Sequence, residues 1–323
     1  MNVGIIGAGR MGVVHVNALK KIDWVKIVAV CDLLVERAVA LAKELSAKAY
    51  TDYQEMLDRE KIEAVWICTP ADVHPENVLA CIERGVPFFL EKPVAVKKED
   101  GEVVVRKIEK EGIYHAVGYI FRYSPVVAKL KELLQEEQII FPAGEYFWTI
   151  PLVDSIKSKE KAGGQIVDQA THMIDLMRYT VGEITTVYTG RSRGFFPEES
   201  LYTGDDASGT VFEFASGISG SLVCTYALFP EIVRYYPPKL RVICKRKLIE
   251  WSGNEIRVIT PDKETKFELK SDLVFLEDQA FLDGLRKQDR SLVKSSYQDA
   301  LKTLKVCLAA NQSMETGEKV IIG

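Results

Sequence analysis

The stretch VGIIGAGRMG, residues 3–12, decides the fold. A short apolar run stops at Gly7, and Gly7, Gly9 and Gly12 spell G-x-G-x-x-G as a helical pattern opens. Gly7 permits a tight turn, Gly9 lets a pyrophosphate approach the backbone, and Gly12 lets helix and strand pack closely. The amides of the first helical turn, at Arg10 and Met11, then face the phosphates. A glycine-rich turn alone is common. Here Asp32 ends the next apolar strand about 20 residues further on, where a carboxylate hydrogen-bonds a ribose diol and repels a 2′-phosphate. The pattern predicts an NAD site. NADP stays open through Arg37, which either folds back toward a 2′-phosphate or stays solvated on its helix.

Outward from that turn the chain alternates. Apolar strands at 25–32, 63–70, 86–93 and 115–120 are separated by helical patterns at 34–45, 74–85 and 98–112. Strands separated by single helices read as right-handed βαβ units on a parallel sheet, and strands this uniformly apolar suit a sheet covered on both faces. The pattern changes near residue 120. After one more helix at 124–137 come strands at 143–150, 184–192, 207–216, 219–228, 239–251, 254–261 and 264–270, several alternating polar with apolar. They predict a mostly antiparallel, open sheet. One helix interrupts them within 163–182, and two helices close the chain. The reading is therefore an α/β Rossmann domain over 1–120 and an α+β domain over 121–323 for substrate and oligomerisation. The closing helices are free to pack back on the first domain.

Composition sets the bounds. The 323 residues are 47% hydrophobic and 27% charged, with a net charge of −4. That balance offers no generic attraction to nucleic acid or an anionic membrane. No apolar run nears the roughly 18 residues of a membrane span, and no signal peptide is apparent. The six cysteines form no C-x-x-C pair, so no metal or disulfide framework is predicted, and a reducing cytoplasm is expected. An open apolar sheet face usually marks an interface, so a homodimer or homotetramer through the second sheet is expected.

Two further stretches carry chemistry. VPFFLEKPVAV, residues 86–96, ends an apolar strand on Glu91, Lys92 and Pro93. Strand ends of a doubly wound sheet face the ligand. Pro93 biases Lys92 away from the helical region, and Glu91 is placed to orient Lys92 or cap nearby backbone. The plain alternative is a surface ion pair worth about 0–1 kcal/mol. In GGQIVDQATHMID, residues 163–175, Asp168, His172 and Asp175 stand at i, i+4 and i+7 and share one helical face. Two carboxylates flanking an imidazole raise its pKa and make it a proton acceptor; a solvated face would look the same. Gly163 and Gly164 suit a loop close to a ligand. Thr69, Pro70 and His74 lie at the same sheet edge as cofactor contacts, though His74 also suits the start of a helix. Arg122 and Tyr123 are candidate substrate contacts, while His15 and His115 look structural.

Residues 4–12 (GIIGAGRMG), CTPADVH at 68–74, EKP at 91–93 and residues 163–175 together resemble the Gfo/Idh/MocA oxidoreductases over nearly the whole chain. The resemblance implies a Rossmann domain followed by an open-sheet domain. It implies that Lys92 points at substrate beside the nicotinamide, with Asp168 and His172 completing the set. By it, Lys92, Asp168 and His172 are catalytic, and with Arg122 they meet a small polyhydroxylated substrate. Gly7, Gly9, Arg10, Met11, Gly12, Asp32, Arg37, Thr69, Pro70, His74, Glu91 and Lys92 meet the cofactor. Gln165 departs from the pattern, since many relatives carry a third glycine there. The implied activity is NAD(P)-dependent oxidation of a sugar, sugar-acid or cyclitol hydroxyl. A retained-cofactor internal redox enzyme and a non-catalytic NAD(P)-sensing regulator are the alternatives.

Overall fold

A computed structural model describes residues 1–151, 153–195 and 201–323. It divides into two compact units, Met1–Ile120 with Asp272–Leu301, and Phe121–Ser271 with Lys302–Gly323.

The first unit runs β1 (Asn2–Ile6), α1 (Arg10–Leu19), β2 (Lys26–Cys31), α2 (Val35–Leu45), β3 (Lys48–Tyr50), α3 (Tyr53–Arg59), β4 (Ala64–Ile67), α4 (His74–Glu83), β5 (Phe88–Leu90), α5 (Lys98–Glu111) and β6 (His115–Val117). The six strands are parallel in the order β3-β2-β1-β4-β5-β6, the doubly wound arrangement. β3 and α3 were not predicted. β3 is three residues long and partly exposed, so it carries no apolar run. α3 did leave a signal, because Asp52 accepts from the amides of Gln54 and Glu55, the capping geometry of D-x-x-E. Val3, Ile5, Trp66 and Phe89 form one core with Phe281 and Leu282 of α10 (Leu273–Lys287), which belongs to this unit.

The second unit holds α6 (Pro125–Gln135), β7 (Ile139–Phe147), the short α7 (Asp154–Lys157) and α8 (Lys159–Ala162), and α9 (Thr171–Thr180). Next come β8 (Ile184–Ser192), β9 (Ala207–Phe214), β10 (Ser219–Thr225), β11 (Lys239–Cys244), β12 (Lys247–Ser252), β13 (Glu255–Ile259) and β14 (Glu264–Glu268). α11 (Tyr297–Thr316) and β15 (Val320–Ile321) close the chain, with α11 divided between the units at Leu301. The nine strands order as β14-β13-β12-β11-β7-β10-β9-β8-β15. Every pairing is antiparallel except β7 with β10. Residues 239–251, read as one strand, are a hairpin, β11 and β12 turning at Lys245-Arg246. Two strong strand formers joined by two charged residues carry no glycine or Asn-Gly signal to mark the turn. Strict alternation buries Phe212, Leu222 and Val242 and leaves Tyr188, Val211, Val223 and Ile243 on the open face. Among the described residues no helix is long and apolar enough to cross a membrane.

Candidate active site

In the first unit the glycine turn fits a dinucleotide for reasons visible atom by atom. Gly7 has φ +99°, and a Cβ there would stand 2.5 Å from the Cys68 carbonyl oxygen. A Cβ on Gly12 would stand 2.0 Å from the Gly7 carbonyl oxygen. Both positions are closed by the chain's own backbone. Gly9 is different: a Cβ would meet nothing within 4 Å. Gly9 is also the N-cap of α1 and caps with no side chain, so the first amides of the helix, beside Arg10 and Met11, keep their hydrogens for an anion. Asp32 is half-buried; its two oxygens accept the amides of Ala8 and Leu34, which ties the end of β2 to the turn. Arg37 is exposed on α2.

At the neighbouring strand ends, Thr69 donates to the Asn77 side chain and Pro70 is exposed. His74, expected to touch cofactor, is instead buried as the first residue of α4. Its Nδ1 lies 2.7 Å from the Pro93 carbonyl oxygen and its Nε2 2.8 Å from that of Thr69. Both partners only accept, while burial pushes the ring's pKa down. A neutral ring donates to one of them at a time. His74 therefore braces the 69–74 loop against the 91–93 loop. Lys92 is half-exposed, and the Lys92–Pro93 peptide is cis. Glu91, also expected at the cofactor, is buried at 6% exposure; its Oε2 accepts the Lys92 amide at 3.1 Å and its Oε1 faces His15.

In the second unit the helix reads as no simple α-helical face. Residues 166–170 form a π-turn that leads into α9, so Asp168 and His172 are not at ordinary i, i+4 spacing. From Ala162 through Arg178 every residue is buried except Asp168 and His172. The Tyr226 hydroxyl donates to Asp168 Oδ2 at 2.5 Å. Burial, and then the Asp168 charge, push the Tyr226 pKa well above the phenol range, so it remains a donor. The His172 ring lies against Phe121 at 5.6 Å between centroids.

Asp175 is buried and bound to a guanidinium. It accepts from Arg122 through Nε at 2.8 Å and Nη2 at 2.6 Å, and from the Thr303 hydroxyl at 3.0 Å. Arg122, expected to meet substrate, is 5% exposed and lies over the Tyr179 ring, so this fork is an internal strut. Gly163 and Gly164 also answer to the chain itself. Both have positive φ, and a Cβ on Gly163 would strike Val167 at 2.6 Å. Gln165 is buried, bonded to Gln169 and Ser208, so the departure from a third glycine is absorbed inside. Lys159 starts α8 and pairs with Asp205 and Glu315.

Residues 1–119 match the family model described as oxidoreductase family, NAD-binding Rossmann fold, and residues 142–250 match the GFO/IDH/MocA C-terminal domain. The chain belongs to the GFO/IDH/MocA oxidoreductase family. Among relatives in this family, scyllo-inositol 2-dehydrogenase (NAD(+)) of Bacillus subtilis (strain 168) is 27% identical over 98% of this chain and 94% of its own. Levoglucosan dehydrogenase of Pseudarthrobacter phenanthrenivorans is 31% identical over 65% of this chain and 59% of its own. A solved levoglucosan dehydrogenase complex with NADH shares the fold at TM-score 0.88 and 22% identity, covering 100% of this chain and 99% of that one.

Sequence reasoning missed Tyr226, the phenol that holds Asp168. It ends a strand pattern, SGSLVCTYAL, and nothing in that alternation sets it apart. It also read His15 as merely structural. Its partner Asp278 on α10 stands 263 residues away, and no spacing rule joins positions so far apart.

Proposed function

We propose that this GFO/IDH/MocA member oxidises a secondary hydroxyl of a sugar, sugar acid or cyclitol, or reduces the corresponding ketone, with NAD. One observation carries the proposal: in a helical stretch otherwise buried from residue 162 to 178, the two side chains left open are a carboxylate and an imidazole, Asp168 and His172. Those are the groups needed to grip a hydroxyl and take its proton. The names of the relatives, among them scyllo-inositol, myo-inositol and levoglucosan dehydrogenases, support the substrate class.

The roles follow from the chemistry of each group. Lys92 donates to the reacting oxygen and stabilises negative charge as it develops there. His172 accepts the hydroxyl proton. Asp168, held in place by Tyr226, accepts from a neighbouring hydroxyl or from the imidazole. Gly7, Gly9 and Gly12 with the amides of Arg10 and Met11 hold the pyrophosphate, and Asp32 takes the ribose diol. The bound nicotinamide supplies the hydride acceptor. We further take the protein to be a cytoplasmic homo-oligomer joined through its open sheet face.

The test is a panel of sugars, cyclitols and sugar acids followed by NADH absorbance, with Lys92→Met and His172→Ala beside the wild type. Each variant is expected to lower turnover by roughly 10²–10⁴ and to leave NADH affinity within a few-fold. Near-normal turnover in both would end the catalytic reading and leave a cofactor-sensing regulator. Turnover without NADH release would instead mark a retained-cofactor enzyme.

A further inference from the structure

Below Glu91 the first unit carries a buried polar chain that the proposed chemistry does not use. His15 of α1 is fully buried. Its Nδ1 lies 2.9 and 3.0 Å from the two oxygens of Asp278, and its Nε2 lies 3.0 Å from Oε1 of Glu91. Where both carboxylates are ionised they only accept, and the two contacts then require a proton on each ring nitrogen; burial raises the Asp278 carboxyl, while the His15 charge and the His15 and Trp66 hydrogen bonds pull it back. Burial alone would push this imidazole down. The Asp278 charge, Cys68 and the hydrogen bonds to Asp278 and Glu91 together outweigh that, and the ring is held well above its usual range. Asp278 Oδ1 also accepts the Trp66 indole at 2.8 Å. At the other end, Glu91 Oε2 accepts the backbone amide of Lys92 at 3.1 Å. Hydrogen bonds thus run unbroken from β4 through α10 and α1 to the peptide that bears the ammonium.

The same cluster invites a metal reading, because His15, Glu91 and Glu277 offer ligand atoms all within 4.8 Å of one another. Ligation needs a ring nitrogen without its proton. Both nitrogens of His15 already face carboxylates at hydrogen-bond distance. Burial, reinforced by Glu91 and Asp278 against the opposing pull of His15, pushes the Glu277 carboxyl well above its usual range, which disfavours the charged form a metal would need. An imidazolium between two carboxylates meets the chemistry of the cluster with protons alone.

We propose that His15 and Asp278 are positioning residues for Lys92, holding the Glu91 carboxylate so that its second oxygen fixes the Lys92 peptide. The proposal rests on the catalytic role given to Lys92 above. It also makes α1 serve two ends, with its first amides at the dinucleotide and its buried histidine behind the lysine.

Glu91→Gln tests this, since it keeps the shape but its amide oxygen satisfies only one of its two donors. Turnover per NADH-binding site should fall about 10–100-fold, the usual result of a small misplacement, with NADH affinity within about threefold. In a Lys92→Met background the same change should cost less than about twofold, because the group being positioned is gone. Equal losses in both backgrounds would overturn the proposal. If Lys92→Met alone keeps wild-type turnover, the functional reading fails and takes the positioning role with it.

A second readout needs no substrate. The chain has only 4 histidines, so ring-nitrogen NMR on ¹⁵N-histidine protein resolves His15. The groups facing the ring are Asp278 and Glu277 from α10, Glu91 after β5 and Cys68 after β4. Both nitrogens should keep their protons above the pH at which an ordinary imidazole loses one. Glu91→Gln, or Asp278→Asn should the first variant not fold, should move the loss of that proton to lower pH. A neutral His15 ring at neutral pH, or one equivalent of metal in the purified protein, would refute the proposal.

Discussion

Arg122→Met separates an internal strut from a substrate contact. The Arg122 and Asp175 side chains are 6% and 1% exposed, and the guanidinium engages both carboxylate oxygens at 2.6 and 2.8 Å. Removing the cation strands a buried carboxylate whose remaining described donor is the Thr303 hydroxyl at 3.0 Å. Breaking such a pair from one side costs about 3–5 kcal/mol. For a unit of this size that corresponds to a fall in melting temperature of roughly 6–20 °C. Burial raises the Asp175 pKa against the pull of Arg122, so the folded carboxyl holds its proton more tightly than the unfolded one. Stability tied to that proton is present below the unfolded carboxylate range and is lost as pH rises through the folded value. With Arg122 gone the folded value moves higher still, so the deficit should shrink toward acid. Scanning calorimetry at several pH values measures all of this. Arg122→Met with Asp175→Leu should recover part of the loss, because an apolar pair leaves no buried charge. An unchanged melting temperature with a raised KM would refute the strut and return Arg122 to the substrate.

Asp32→Ala should weaken NAD binding about tenfold or more and narrow the preference over NADP, by comparative titration; because Asp32 also accepts the Ala8 and Leu34 amides, NADP affinity should not rise to the wild-type NAD level. A wild type that prefers NADP would remove the role given to Asp32. Gly9→Ala should leave the melting temperature nearly unchanged and weaken NADH, whereas Gly12→Ala should destabilise the fold itself, since its Cβ would stand 2.0 Å from a backbone oxygen. Equal behaviour of the two variants would show that the open space at Gly9 is not the phosphate seat. Light scattering should return a multiple of 36.3 kDa, and lysines at Tyr188 and Val211, which pair across β8 and β9 on the open face, should reduce it toward one chain.

Much of the Rossmann unit was legible because its signals are local. Three glycines, one carboxylate and a period of strand and helix lie close in sequence, and each has a steric or electrostatic reason visible in a short window. The second sheet was legible as strands but not as a hairpin at Lys245-Arg246, since charged turns carry no fixed backbone preference. The site was harder. Asp168 and His172 were readable as chemistry, yet the π-turn over 166–170 and the buried Gln165–Gln169 and Ser208–Gln165 hydrogen bonds beside it are encoded by no helical period. Arg122 and His74 misled for the opposite reason. A cation near a strand end and a histidine in a loop look functional until their partners, Asp175 at a distance of 53 residues and Pro93 at 19, are known.

The first unit takes Phe281 and Leu282 into its core and sets Asp278 beside His15, yet those residues are made after nearly all of the second unit. A ribosome adding about 5–20 residues per second needs roughly 10–35 s to pass from residue 120 to residue 301. For that interval the nascent dinucleotide-binding unit exists with an apolar seam uncovered and its buried histidine lacking a counter-charge. It completes itself only as the last helices leave the exit tunnel. Nascent chains stalled before residue 272 should therefore be captured by hydrophobic-surface chaperones, and a fragment ending at residue 120 should fail to accumulate as a soluble NAD-binding protein.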